Sequence, residues 1–153
     1  MSDQAFPPAD PESFLALCAG EWMSLRSSFA LSNGDDDWHT SERGELTVRF
    51  ESGQGELLGR LLVEPPGGSG RSLSFVDGGE LTVDEQSRGQ WRFWPDGSVE
   101  LHLPQPDGSL VQERIWFTRA NLRLRSTTAV DAGGNPLEGS FCTDIRRVSK
   151  PAA

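Results

Sequence analysis

Residues 113–125 read Glu-Arg-Ile-Trp-Phe-Thr-Arg-Ala-Asn-Leu-Arg-Leu-Arg, two alternating runs joined by a tight corner. In the first run Glu113, Ile115 and Phe117 share a face with Val111. In the second, Asn121, Arg123 and Arg125 share one face, and Leu122 and Leu124 take the other. A period of two predicts two antiparallel strands. A carboxylate among apolar side chains, followed by a row of guanidiniums, is costly to bury unless the charges meet partners. Two arrangements answer that cost. The charges salt-bridge each other inside a barrel, for example Glu113 to Arg123, or they wait for a charged, partly apolar ligand.

The same alternation extends in both directions. Strands are expected over 22–31, 40–51, 56–64, 73–76, 81–83, 90–94, 99–103, 110–118, 121–130 and 140–148. Between them lie turn signals: Asn33-Gly34-Asp35-Asp36-Asp37, Asp77-Gly78, Pro95-Asp96-Gly97, Pro106-Asp107-Gly108 and residues 131–136. One short helix precedes them. Asp10 is placed to cap it, Pro11 suits its first turn, Glu12 complements its dipole, and Gly20 stops it after Phe14, Leu15, Leu17 and Cys18. Frequent hairpins without intervening helices predict an all-β fold, an antiparallel up-and-down barrel of about nine or ten strands with a short N-terminal helix. A sandwich with a solid core is the alternative. Residues 1–9 read as a flexible leader and 10–149 as a single domain, because 153 residues are too few for two sound cores.

Composition excludes several function classes. A formal net charge of -9 argues against nucleic acid as a partner, because backbone binding needs an electropositive face. No run of about 18 apolar residues marks a membrane span, and the N-terminus has neither a basic region nor an apolar one typical of a signal peptide. A soluble, cytoplasmic protein is expected, with Cys18 and Cys142 as buried thiols. The aromatic set is Trp 5, Phe 8 and Tyr 0, which suits a small core or the wall of a ligand cavity.

Catalytic and metal motifs are sparse. His39 and His102 are the histidines, one after an acidic loop and the other alternating with Leu101 and Leu103, so neither reads as a catalytic base. No cluster has zinc spacing, the Asp35–Asp37 run lacks the spaced ligands of a calcium loop, and no nucleophile elbow is present. The glycines of 65–70 precede neither Lys-Ser/Thr nor a helix, so they form no phosphate loop. Cys142 has Arg146 and Arg147 nearby, which would activate its thiol if they converged on it. What remains is a binding site. Glu113 is suited to accept hydrogen bonds from ligand N–H groups, and Arg123 and Arg125 to clamp carboxylates, with Arg26 on the Trp22 face joining them.

The order of motifs resembles a known family. Gly20-x-Trp22-x-Ser24-x-Arg26, then Glu113-Arg-Ile-Trp-Phe117, Asn121-Leu-Arg-Leu-Arg125 and Ser140-Phe-Cys-Thr-Asp-Ile-Arg146 are similar to the S-type phycobiliprotein lyases, the CpcS/CpeS group. The C-terminal third carries most of the likeness, and the stretch Ser27-Ser28-Phe29 departs from the family pattern. The resemblance implies a lipocalin-like barrel and a chromophore lyase that attaches a linear tetrapyrrole by a thioether to a phycobiliprotein cysteine. Its substrate would be a phycobilin, phycocyanobilin or phycoerythrobilin, with no permanently bound cofactor and no metal. Glu113 would contact pyrrole nitrogens and is the candidate proton donor. Arg123 would hold the bilin through a propionate, with Arg26, Trp22, Arg125 and Asn121 nearby. Implied partners are a phycobiliprotein α or β subunit as acceptor, with room for a homodimer or a heterodimer with a related lyase subunit, in the cytoplasm of a cyanobacterial-type cell. A non-catalytic bilin carrier, a subunit of a heteromeric lyase, and a lipocalin-like carrier of fatty acid or another amphiphile stay open as alternatives.

Overall fold

The computed structural model describes residues 6–30, 39–65 and 70–148. The expected turn at Asn33–Asp37, the side chain of His39 and most of the glycine-rich loop lie outside the described residues. Helix α1 (Pro11–Cys18) begins as its sequence predicts. The Asp10 carboxylate accepts from the Ser13 backbone N–H at 2.8 Å and from its hydroxyl at 2.9 Å, satisfying a donor the first turn leaves open. The helix buries Phe14, Leu15 and Cys18, and Phe14 meets Phe117 edge-on at 5.2 Å between ring centroids. So short a helix holds only by that packing.

Ten strands follow: β1 (Gly20–Ala30), β2 (His39–Ser52), β3 (Leu57–Glu64), β4 (Arg71–Val76), β5 (Glu80–Val83), β6 (Ser87–Phe93), β7 (Val99–Pro104), β8 (Leu110–Arg119), β9 (Leu122–Val130) and β10 (Pro136–Arg146). Each pairs antiparallel with the next, and β10 returns to pair with β1, so the sheet closes as a barrel. Closure leaves no edge strand to protect and disposes of the sandwich alternative. No helix among the described residues is long and apolar enough to cross a membrane.

Two corners repeat one device. In Pro-Asp-Gly-Ser at 95–98 and at 106–109, the aspartate accepts from the backbone N–H of the serine two residues on, at 2.9 Å in both, and from its hydroxyl. Gly97 and Gly108 take φ of +85° and +88°, the left-handed region that glycine enters without strain. The last strand departs from expectation. It starts at Pro136 rather than 140, because Asp131 confines the preceding turn through bonds to the backbone N–H groups of Gly133 and Asn135. A register shift between Pro136 and Glu138 absorbs the extra residue.

One end of the barrel is solid. Trp22, Val48, Leu61, Phe75, Leu81 and Leu101 are among the buried side chains beside the helix, each at most 4 % exposed. The other end is polar and open. β9 explains the contrast: its inward face carries Arg123, Arg125 and Thr127, which leaves Leu122 and Leu124 on the outer face.

Candidate functional site

Strand register stacks the inward side chains of β1, β10, β9 and β8 in successive rungs. Ser24, Asp144, Arg123 and Phe117 pair across one rung. Arg26, Cys142, Arg125 and Ile115 form the next, and Ser28, Ser140, Thr127 and Glu113 the one nearest the open end. A period of two on four neighbouring strands therefore brings charges from distant parts of the chain to one wall.

Asp144 is the hub of that wall. It is wholly buried, and Oδ2 accepts from Arg123 Nε at 2.9 Å and from Arg125 Nε at 2.7 Å. Oδ1 accepts from Arg125 Nη2 at 3.0 Å and from the Ser24 hydroxyl at 2.7 Å, while the same Ser24 oxygen accepts from Arg125 Nη2 at 3.1 Å. Burial alone would raise the Asp144 carboxyl, but the Arg125 hydrogen bond and the charges of Arg123 and Arg125 outweigh it and hold it below the usual range. Burial would likewise favour a neutral Arg125, yet the bond to Asp144 holds the guanidinium more firmly charged than usual. The hub was not singled out as a site residue by its sequence. Its signal was the alternation Cys142, Asp144, Arg146, which places it on the face of the arginines.

Glu113 stands apart from this network. It is 8 % exposed, its ion pair is a long one of 4.0 Å to Arg125, and its carboxylate accepts no hydrogen bond among the described residues. The direct Glu113–Arg123 bridge entertained for the sequence does not form, because Arg123 is committed to Asp144. With two guanidiniums and two carboxylates the cluster is formally neutral, and one carboxylate has lone pairs to spare.

Among the cavities bounded by the described residues, two at the open end border this wall. One, of about 500 Å³, is lined by Ser24, Glu42, Arg43 and Gly44 among others. The second, of about 390 Å³, is lined by Ser28, Val111, Glu113 and Thr127 among others. Gly44 faces Ser24 across β1 and β2, and a side-chain carbon there would meet open space, so this glycine keeps the wall of the first cavity low. Arg125 lines both cavities, as does Arg26, whose Nε donates to Cys142 Sγ at 3.2 Å.

The other expected site residues lie deeper or elsewhere. Arg123 is 4 % exposed, one rung below Arg125, and lines neither cavity. Trp22 is wholly buried, with its indole N–H on the Cys18 carbonyl at 3.0 Å. Its ring lies 4.9 Å from the Arg123 guanidinium and 4.1 Å from that of Arg146, so it backs the site without facing a cavity. Asn121 is exposed at the β8–β9 corner, where its carbonyl accepts from the Arg146 backbone at 3.0 Å. Arg146 ties the barrel to α1 through the carbonyls of Ala19 and Leu17. Gly20 takes φ +144°, a backbone conformation that favours glycine, and a side-chain carbon there would meet the Arg146 guanidinium.

His102 sits on the far side of its strand from Leu101, 2.6 Å from Glu100 Oε2, and is no part of the site. Both cysteines are free and buried, and burial pushes the Cys18 thiol up in spite of Arg123. Among the described residues, no group of three or more potential ligands is arranged to hold a metal ion.

The chain is similar to known proteins. A family model described as CpeS-like protein matches residues 80–147, which carry Glu113, Arg123, Arg125 and Asp144. The chain is 41% identical over 145 residues to "Chromophore lyase CpcS/CpeS 1" of Paulinella chromatophora, covering 95% of this chain and 92% of that protein. It is 26% identical over 148 residues to "Chromophore lyase CpcS/CpeS 2" of Synechococcus sp. (strain JA-3-3Ab), covering 93% and 70%. Among solved structures, the S-type phycobiliprotein lyase CPES from Guillardia theta superposes with a TM-score of 0.71 at 22% identity, over 91% of this chain and 93% of that one. That likeness establishes a shared fold.

Proposed function

The chain belongs to the CpcS/CpeS family of chromophore lyases, and we propose that the open mouth of its barrel is where this lyase holds its bilin. It is an enzyme of the bilin lyase class, acting on phycobiliprotein subunits. The observation that carries the site assignment is Glu113, an almost buried carboxylate on a cavity wall without a hydrogen bond among the described residues. A linear tetrapyrrole supplies what that acid lacks, a row of pyrrole N–H groups, cationic when protonated. The same ligand carries a carboxylate for Arg125, and flat apolar rings for the cavity walls. Neither phycocyanobilin nor phycoerythrobilin is favoured by this chemistry, since both present it.

In this reading catalysis is mostly positioning. The acceptor cysteine adds across an exocyclic double bond of the bilin. A carbon–sulfur bond forms, the thiol proton leaves sulfur, and a proton is delivered to the tetrapyrrole, with no net oxidation or reduction. Arg125, locked by Asp144 and Ser24, holds one propionate of the bilin. Glu113 holds the protonated ring system and is the side chain placed to exchange that proton. Trp22 acts at one remove, by supporting Arg123.

The test is co-expression with bilin-forming enzymes and a panel of phycobiliprotein α and β subunits, followed by mass spectrometry. An acid-stable bilin adduct on a subunit cysteine, lost with Glu113→Gln, is the expected result. A coloured complex with this chain but no adduct on any subunit would reduce the protein to a bilin carrier.

A further inference from the structure

Arg26, Arg71 and Arg125 are the three residues shared by both cavities, so their side chains stand on the partition between them. They are not equivalent. Arg125 commits Nε and Nη2 to Asp144 and Ser24 and keeps Nη1 without a hydrogen bond among the described residues, and Arg26 donates to a thiol, a weak acceptor. The Arg71 guanidinium makes no hydrogen bond or ion pair among the described residues, and the residue is exposed. It alternates on β4 with Leu73 and Phe75, both at most 4 % exposed, and so belongs to the inward face. On the outside of the barrel, Arg49, Arg60 and Arg88 each face a glutamate within 4.0 Å, and Arg92 lies over the Trp94 ring. An inward arginine without a counter-ion, at the junction of two cavities, has a full complement of donors for an anion that comes from outside the chain.

We propose that Arg71, together with Arg26, is a second carboxylate clamp of the site. The ligand is a dicarboxylate laid across the partition, with one carboxylate toward Arg125 and the other toward Arg71 and Arg26. The inference rests on the bilin reading above and deepens it, because a bilin bears two propionates. Two clamps on different strands select for a ligand with two acids at a fixed separation. A fatty acid, with one, would leave Arg71 and Arg26 unsatisfied. Arg26 and Arg71 both fall outside the 80–147 segment matched by the family model, so this half of the clamp is set by the N-terminal part of the chain.

The experiment is a titration of the full chain with phycocyanobilin and with its dimethyl ester, read by absorbance, for the wild type, Arg71→Gln, Arg71→Lys and Arg88→Gln. Melting curves verify that each variant is folded. The wild type is expected to prefer the diacid over the ester by about 100-fold, roughly tenfold for each clamped carboxylate. Arg71→Gln should lose about tenfold in affinity for the diacid and nothing for the ester, Arg71→Lys should recover part of the loss, and Arg88→Gln should match the wild type. An Arg71→Gln protein that keeps the wild-type ratio of diacid to ester affinity would overturn the second clamp and leave the bilin site standing. A wild-type protein that binds neither form would remove the bilin site itself.

Discussion

Arg125 grips the Asp144 carboxylate at both oxygens, Nε on Oδ2 at 2.7 Å and Nη2 on Oδ1 at 3.0 Å. The fork lies where β9 and β10 run side by side, and Arg123 adds a third donor to Oδ2. Truncating one member of such a buried network leaves uncompensated charge in the interior. Asp144→Ala should therefore cost about 3–5 kcal/mol of stability. Asp144→Asn, which keeps an acceptor but loses the charge, should cost less. Denaturant unfolding of the three proteins measures the order. Equal stability of wild type and Asp144→Ala would mean that water or a rearranged neighbour replaces the carboxylate.

The same fork sets a pH dependence. The Asp144 carboxyl is held below its ordinary value of 3.8, so the folded state binds its proton less readily than the unfolded chain. A depressed folded-state value contributes stability that is present above the unfolded pKa. That stability is lost as pH falls through the folded one. Melting temperatures of wild type and Asp144→Asn should accordingly converge as pH is lowered from about 5 to about 2. The comparison isolates Asp144 from the exposed turn acids Asp96, Asp107 and Asp131, which are also held low by their serine or asparagine partners and remain in both proteins. A gap that stays constant with pH would assign the stabilisation to shape rather than charge.

Glu113 separates binding from folding. Since no hydrogen bond among the described residues depends on it, Glu113→Gln should leave the melting temperature nearly unchanged. Bilin binding should weaken by roughly 10- to 100-fold, the loss of a charge-assisted contact to a cationic ring system. The bound chromophore should also lose the red-shifted absorbance of the protonated tetrapyrrole. Absorbance titration and a melting curve on one preparation check both halves. A variant with normal colour and affinity would move the proton-holding role elsewhere.

Most of the fold was legible in the chain because period-two patterning and turn chemistry are local. Asp10-Pro11, the two Pro-Asp-Gly-Ser corners and the alternation of Glu113, Ile115 and Phe117 each commit the backbone without reference to distant residues. The site was only half legible. Glu113, Arg123, Arg125 and Arg26 stood out as charges on apolar or aromatic faces, and all four converge. Asp144 and Arg71 did not, for a shared reason. Asp144 owes its importance to pairing between β1, β10 and β9, and Arg71 to two cavities that exist only once the barrel has closed. Arg123 was readable as an inward cation, but not that Asp144 would claim it and leave Arg125 on the cavity wall. Asn121 shares a period-two face with the arginines, yet that face ends at a corner, and the residue is exposed at the far end of the strand.

Trp22 and Asn121 are placed in opposite ways, one buried and one exposed. Trp22 is wholly buried between the Arg123 and Arg146 guanidiniums, and its indole N–H satisfies the carbonyl of Cys18 at the end of α1. Phenylalanine keeps the ring but loses that hydrogen bond and part of the cation–π surface, so Trp22→Phe should cost about 1–3 kcal/mol. Its effect on bilin should be small and should follow from a looser Arg123. It should lower affinity without altering the shape of the bound absorption band. Asn121→Ala removes a side chain at an exposed corner and leaves its carbonyl on Arg146 in place, so stability and bilin affinity should both match the wild type. Unfolding curves and bilin titrations of the two variants, run side by side, test the pair. A changed band shape in Trp22→Phe would show that the indole reaches the chromophore, and so that the barrel opens more deeply around its ligand than the two cavities at its mouth.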